Sequence, residues 1–224
     1  MTKKSQVASA SVELEASRPK IYVCTPAMAP EHKQYLERVE GAIGEACRGY
    51  PIQKGATQSD ADGWQAVVEA YNREAETFLK SDCEYMFLVE SDTVVPEHAL
   101  AHMLNLEADV VGAFQPYHYD AELMDPSWKV WEGILVGGYF KSEKEWGMRE
   151  YLRKEDVDGK ILEGNVYSGT GCLLIHRRVF EAGLRFHRPG LEGAGFDLQF
   201  WKDLQKMGLR GVLDGSVVCE HLGI

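Results

Sequence analysis

Residues 85–96 read YMFLVESDTVVP, an apolar run that breaks on an acidic triplet and stops at a proline. Aromatic and aliphatic residues over 85–89, followed by turn-forming residues, predict a buried strand. Positions two apart on an extended chain face the same side, so Glu90 and Asp92 are expected to direct both carboxylates at one point. The stretch therefore predicts a strand of a central sheet with a candidate site at its carboxyl end.

Strand and helix patterns alternate on both sides of this stretch. Strand patterns cover 21–26, 51–57 and 108–117, and amphipathic helix patterns cover 31–49, 64–82 and 97–107. Farther on, 166–184 predicts a glycine turn, a strand and a short helix, 196–208 predicts a helix that begins near Asp197, and the remainder predicts a short strand. This order predicts an α/β fold with a mostly parallel sheet flanked by helices.

Residues 115–165 differ from the rest because their periodicity is poor, apart from a strand pattern around GILVGGYF at 133–140. The segment is rich in tyrosine, tryptophan, glycine and charged residues. Long irregular segments of compact domains are commonly binding loops or lids. A surface insertion without a binding role fits the pattern equally well.

The acidic balance of the chain limits the partners it can have. The formal net charge is −11, and the basic residues do not form a cluster. Binding to nucleic acid needs such a cluster, so we expect none. An anionic ligand would need positive charge from a metal ion or from helix N-termini.

Cysteine usage and hydropathy bear on location. The five cysteines are odd in number and widely spaced, with no CxxC pair, which is typical of a reduced, cytoplasmic protein. No segment reaches the ~18 apolar residues of a membrane helix, and no secretory signal is expected at the N-terminus. Residues 1–19 are small and polar and are predicted to be disordered, with one domain over 20–224.

The acidic triplet has two chemical interpretations. Ligands of open parallel sheets bind beyond the carboxyl ends of the strands. Two carboxylates there suit a hard divalent cation such as Mg²⁺ or Mn²⁺, which can in turn hold a diphosphate. In the alternative interpretation, Ser91 and Asp92 only start a turn and cap the next helix.

Together with its surroundings, the triplet resembles the DxD motif of GT-A-type (Rossmann-like) glycosyltransferases, especially the family-2-like enzymes. Three segments carry the resemblance in the expected order: YNREAETFLKSDCEYMFLVESDTVVPEHAL (71–100), VYSGTGCLLIHRRVFEAGL (166–184) and GAGFDLQFWKDLQKMGLRGVLDGSVVCEHLG (193–223). With IYVCTP at 21–26, the resemblance spans nearly all of 20–224. It implies a GT-A-type fold in which 115–165 shapes the acceptor side.

The resemblance also implies a metal site. Asp92 stands at the third place of the motif as a metal ligand, and Glu90 stands where the family often has aspartate, with Ser91 between them. His221 matches the C-terminal metal-ligand histidine of the family. An imidazole ligand favours Mn²⁺ over Mg²⁺. Without the resemblance, His221 would be interpreted as a surface histidine.

Further positions follow from the same resemblance. Thr25 and Pro26 match the first loop that holds the nucleotide, Asn72 or Arg73 falls near it, and Gly169 and Gly171 belong to the glycine-turn segment. Those two glycines could equally be turn residues only. Asp197 corresponds to the general base of inverting members, and it would also suit a helix N-cap.

The expected function is metal-dependent transfer of a sugar, of the hexosyl type, from a nucleoside-diphosphate sugar to an acceptor hydroxyl, with inversion. A non-catalytic module that binds nucleotide sugars or carbohydrates is the alternative from another class. A sugar-1-phosphate nucleotidyltransferase fits less well, because TPAMAPEHK (25–33) lacks a glycine-rich basic loop. The sequence does not indicate the donor, the acceptor or the oligomeric state.

Overall fold

The structure is a computed structural model that describes residues 18–26, 34–55, 63–116, 134–140, 149–187 and 195–222. Its strands are β1 (Ile21–Cys24), β2 (Ile52–Lys54), β3 (Tyr85–Val89), β4 (Thr93–Val94), β5 (Val110–Phe114), β6 (Ile134–Phe140), β7 (Arg149–Arg153), β8 (Ile161–Glu163), β9 (Val166–Ser168), β10 (Cys172–His176), β11 (Gly211–Val218) and β12 (Glu220–His221). Its helices are α1 (Leu36–Ala46), α2 (Gly63–Lys80), α3 (Ala99–Leu104), α4 (Lys154–Val157), α5 (Arg177–Glu181) and α6 (Phe196–Lys206).

A seven-stranded sheet with the order β2-β1-β3-β10-β5-β11-β8 forms the centre of the fold. β1 pairs in parallel with β2 and β3, and β5 pairs in parallel with β11. β10 is antiparallel to both β3 and β5, and β8 is antiparallel to β11. Five of the seven strands (β1, β2, β3, β5 and β11) therefore run in one direction, which confirms the predicted mostly parallel α/β sheet.

Helices cover both faces of this sheet. The alternation along β3 shows how, because Met86 and Leu88 face one apolar core while Phe87 and Val89 face the other. α2, α5 and α6 pack on the Met86 face, and α1 and α3 pack on the opposite face. All five cysteines are buried and free, as expected for thiols that serve as small apolar residues.

Two small sheets stand beside the main one. β6 pairs with β7 and β9, and β12 pairs with β4. The second pairing matters most for the site, because it places His221 opposite Thr93, the residue after the acidic triplet. The C-terminal strand is thereby fixed against the segment that follows β3.

The prediction of a mainly irregular segment over 115–165 is wrong in its described parts. The strand around GILVGGYF is present as β6, but β7, α4 and β8 are also regular elements. β8 was missed because it is only three residues long, with the partly exposed pattern of an edge strand, and it gains its partner only through β11. Residues 117–133 and 141–148 lie outside the described residues, as do 1–17.

No helix within the described ranges is both long enough and apolar enough to cross a membrane.

Candidate functional site

Polar residues gather where the carboxyl ends of β1, β3 and β5 meet the beginning of the antiparallel strand β10. Thr25 follows β1, Glu90 follows β3, Gln115 follows β5, and Thr170 and Gly171 precede β10. The antiparallel direction of β10 brings its start to the edge at which its parallel neighbours end. Thr25, Gln115 and Thr170 are each 5% exposed, so this edge is a buried polar layer.

The chain turns immediately after β3. The strand ends at Val89, and the Thr93 N–H donates to the Glu90 carbonyl at 3.1 Å. This i to i+3 bond closes a turn, so the expectation of an extended chain through Asp92 is wrong. The two carboxylates nevertheless remain close enough for the charge of Asp92 to perturb Glu90.

One carboxylate oxygen of Glu90 is held from two sides. Tyr71 of α2 and Thr170 both donate hydroxyl hydrogen bonds to Glu90 Oε1, each at 2.5 Å. Burial and the negative charge of Asp92 raise the pKa of Glu90 to about 7, although these two hydrogen bonds and His221 act in the opposite direction. Glu90 therefore changes its charge near neutral pH.

Asp92 and His221 form the other part of the site. His221 Nε2 lies 3.1 Å from Asp92 Oδ2, and both side chains are largely buried. The backbone supports the pair, because the Leu222 N–H donates to the Asp92 carbonyl at 2.7 Å. Burial opposes protonation of His221, but the hydrogen bond and charge of Asp92, helped by Glu90, raise the pKa of His221 above its ordinary value.

Gln115 belongs to this site although the sequence patterns did not single it out. Its Nε2 donates to Thr93 Oγ1 at 2.7 Å, and Thr93 Oγ1 donates to Asp92 Oδ1 at 3.4 Å. A polar residue at the carboxyl end of a buried strand was the available signal. Gln115 follows the buried strand β5 just as Glu90 follows β3.

The two glycines of the 168–172 turn differ in their surroundings. A Cβ on Gly171 would lie 1.8 Å from Gln115 Oε1, so this position leaves no room for a side chain. The Gly171 carbonyl also accepts a hydrogen bond from the Glu90 N–H at 2.9 Å. The Gly169 carbonyl accepts a hydrogen bond from Ser168 Oγ at 2.9 Å.

Asn72 and Arg73 both lie on α2 but in different surroundings. Asn72 uses both ends of its amide on Phe186, donating to the carbonyl at 2.7 Å and accepting from the N–H at 3.0 Å. In this position it fixes the backbone that follows α5. Arg73 lies on the exposed side of the helix.

Asp197 lies in the first turn of α6 but is not its N-cap. Gly195 occupies the N-cap, in an extended conformation, and Asp197 is the second helical residue. A Cβ at Gly195 would lie 2.1 Å from Asp197 Oδ1, so the carboxylate folds back over the helix start. The N-cap interpretation of Asp197 is therefore wrong by two positions, although an acid in the first turn still interacts favourably with the helix dipole.

Aromatic packing connects the start of α6 to Glu90. The ring of Phe196, which precedes Asp197, meets the ring of Tyr71 edge-on with 5.1 Å between centroids. Tyr71 in turn donates its hydroxyl to Glu90. Phe196, the residue before Asp197, is thus linked to Glu90 through Tyr71. Ser91, between the two acids, is itself buried.

Thr25 lines a pocket of about 60 Å³ between β1, β2 and α1. Glu40, Gly44, Lys54 and Gly55 are among its other lining residues. Pro26 follows Thr25 and is also buried. Thr25 and Gly55 follow the parallel strands β1 and β2, so part of the lining lies at the carboxyl ends of these strands.

The donor atoms fit a divalent cation only in part. Within the described ranges, no group of three or more histidine, cysteine, aspartate or glutamate side chains is arranged to hold a metal. The 3.1 Å between His221 Nε2 and Asp92 Oδ2 does suit neighbouring ligands of one ion, since two donors at about 2.1 Å and a right angle are about 3 Å apart. Such ions commonly complete their shell with phosphate oxygens and water. Asp92 and His221 could therefore serve as two neighbouring ligands, and the rest of the shell would have to come from other groups.

Comparisons with known proteins assign no family. No protein-family model matches the chain, and no curated protein matches it. Among solved structures, the chain is similar to A197 from STIV, with 16% sequence identity and a TM-score of 0.49. The similarity covers 91% of this chain and 85% of that chain.

Proposed function

We propose that the chain is a metal-dependent glycosyltransferase with a GT-A-type fold, which transfers a sugar from a nucleoside-diphosphate sugar to an acceptor hydroxyl with inversion. The observation that carries the proposal is the contact of 3.1 Å between Asp92 and His221 at the carboxyl end of β3. These residues are 129 positions apart in the chain and meet through the pairing of β12 with β4. Aspartate and histidine side chains are both common ligands of divalent metal ions.

Asp92 and His221 would hold Mn²⁺ or Mg²⁺, and the ion would supply positive charge to the departing nucleoside diphosphate. The Leu222–Asp92 backbone bond and the β12–β4 pairing hold the two residues beside each other, which supports a role as neighbouring ligands. Glu90 Oε1 is occupied by Tyr71 and Thr170, which leaves Oε2 for a sugar hydroxyl or the ion. Thr25 and Pro26 would border the nucleotide.

Asp197 would act as the general base on the acceptor hydroxyl. It lies at the start of a helix whose aromatic residues are buried, and the residue before it, Phe196, contacts the Tyr71 ring. A base at that position could remove the proton as the hydroxyl attacks the anomeric carbon from the face opposite the leaving group. Attack from that face produces inversion.

The proposal is tested by incubating the purified chain with a panel of UDP- and GDP-sugars and Mn²⁺ and measuring released nucleoside diphosphate. We expect slow hydrolysis that requires the ion and that becomes faster with the right acceptor. Asp197→Asn should reduce transfer at least about 100-fold, since a general base contributes on the order of 10²–10⁴ in rate. Nucleotide binding should persist in this variant.

Asp203→Asn is the matched control, because Asp203 is a partly buried acid on the same helix that pairs with Gln199 and His187. Full transfer by Asp197→Asn would contradict the assignment of the base. Tight binding of a nucleotide sugar without release of the diphosphate would instead support the non-catalytic binding module. Formation of a nucleotide sugar from a sugar 1-phosphate and a nucleoside triphosphate would support the nucleotidyltransferase.

A further inference from the structure

Two hydrogen-bonded groups reach Asp92 from different sides. His221 contacts Oδ2, and the Thr93 hydroxyl donates to Oδ1 at 3.4 Å. The hydroxyl of Thr93 has a single hydrogen and two lone pairs, so it can donate to one acceptor while its oxygen accepts from another group. That other group is Gln115, whose Nε2 lies 2.7 Å from Thr93 Oγ1.

Burial fixes which group donates and which accepts in these hydrogen bonds. Thr93 is fully buried and Gln115 is 5% exposed, so water does not compete for either group. With the Gln115 amide donating to its oxygen, the Thr93 hydroxyl is left to donate toward Asp92. Gln115 therefore determines which way the hydroxyl beside the carboxylate points.

Gly171 holds Gln115 in place from the other side. The three atoms nearest to a Cβ built on Gly171 all belong to the Gln115 amide, at 1.8, 2.5 and 2.9 Å. The φ angle of Gly171 lies outside the left-handed region, so the backbone conformation does not require glycine. Contact with Gln115 is the reason that this position has no side chain.

From this geometry we propose that Gln115 is a positioning residue of the candidate site. It fixes the Thr93 hydroxyl, and through it the carboxylate of Asp92, in the orientation that receives a divalent cation. Gly171 serves the same purpose by leaving room for the Gln115 amide. The identity of the ligand rests on the proposed function, whereas the contacts themselves do not.

The test measures the Kd for Mn²⁺ in the presence of UDP, and then GDP, by calorimetry, with the Tm of each variant as a measure of folding. Gln115→Met keeps the length of the side chain but removes the amide donor. It should raise the Kd about tenfold, because loss of a residue that hydrogen-bonds to a metal ligand commonly weakens metal binding by about 10- to 100-fold. Gln205→Met is the matched control. Gln205 is partly buried, donates to the Val166 carbonyl at 2.8 Å, and lies at the opposite end of α6 from Asp197. The control should leave the Kd within twofold of the wild type.

A double-mutant cycle tests the role of Gly171. Gly171→Ala should raise the Kd as much as Gln115→Ala, since the new methyl displaces the amide. The double variant should be no worse than Gln115→Ala alone, because the amide is then absent. If the effects of the two substitutions on the Kd add in the double variant, Gly171 does not act through Gln115.

The outcomes separate this proposal from the function on which it rests. If the wild type binds Mn²⁺ with a nucleoside diphosphate and Gln115→Met binds it equally well, Gln115 has no positioning role and the proposed function stands. If the wild type does not bind the ion at all, both proposals fail. Should Gln115→Met fold poorly, Thr93→Val removes the same relay while keeping the β-branched shape, and an unchanged Kd in that variant would overturn the proposal.

Discussion

Glu90 and Asp92 look equivalent in the sequence, but their surroundings differ. Asp92 contacts a histidine that a separate strand brings to it, whereas Glu90 contacts two neutral hydroxyl groups. Burial and the charge of Asp92 raise the pKa of Glu90 to about 7, so the Glu90 carboxyl can be protonated near neutral pH. Asp92 is accordingly the stronger candidate for a metal ligand, and Glu90 for an acid whose charge depends on conditions.

The raised pKa of Glu90 predicts a stability that falls as pH rises. The pKa of Glu90 is about 7 in the folded state, and its ordinary value is 4.5. Between these two pH values the folded state holds a proton on Glu90 that the unfolded state has lost. The contribution of Glu90 to the free energy of unfolding is complete below about pH 4.5 and is lost as pH rises through 7. Glu90→Gln cannot become charged, so its stability relative to the wild type should increase by about 2 kcal/mol between pH 5 and pH 8.

The measurement is chemical denaturation of both proteins in buffer with EDTA, because a bound cation would change the charge balance. Glu69→Gln, on the exposed side of α2, is the matched control for loss of a glutamate charge. A difference between Glu90→Gln and the wild type that stays constant from pH 5 to pH 8 would show that Glu90 is already charged at low pH.

At the scale of elements, the long periodic segments were predictable and the pairings that complete the site were not. α2 matches the predicted helix 64–82 closely, and β1, β3 and β5 lie inside predicted strands. β12 has only two residues, and its pairing with β4 depends on where β11 ends, which no local pattern contains. Gln115 could have been selected as a polar residue at the end of a strand, but its contact with Thr93, 22 residues away, could not be predicted from a local pattern.

The junction of β10 and α5 gives a second pH-dependent prediction. His176 is the N-cap of α5, and its Nδ1 accepts the Arg178 N–H at 3.1 Å. Burial and the charge of Arg178 lower the pKa of His176, which keeps Nδ1 free of a proton, although Glu84 opposes the shift. Because the unfolded chain then takes up the proton more readily, stability should fall as pH drops below about 6.5.

His176→Asn keeps a capping acceptor that does not titrate. We expect the wild type to lose about 1 kcal/mol relative to this variant between pH 8 and pH 5, the ordinary contribution of an N-cap. Urea denaturation at both pH values measures the difference, with His102→Asn on α3 as the control. If the two curves of stability against pH are parallel, protonation of His176 does not break the cap.

The molecule as a whole combines an acidic net charge with a site that we propose binds a phosphorylated ligand. The net charge of −11 opposes the approach of a diphosphate, and the two groups that meet at the sheet edge, Asp92 and His221, offer few ligands to a cation alone. The diphosphate would supply the oxygen ligands that the ion lacks in this site. The ion would supply the positive charge that the diphosphate needs. Binding of the two should be strongly synergistic.

This synergy predicts the pattern of thermal shifts. UDP or GDP alone and Mn²⁺ alone should change the Tm by no more than about 1 °C, whereas both together at about 100 times Kd should stabilise the protein by about 2.7 kcal/mol, or about 5–10 °C for a chain of this size. Asp92→Asn should abolish the combined shift while the variant remains folded, because the amide keeps the shape but not the charge. A nucleoside diphosphate that raises the Tm equally with EDTA present would mean that the site binds phosphate without a metal, through positive charge from elsewhere in the chain.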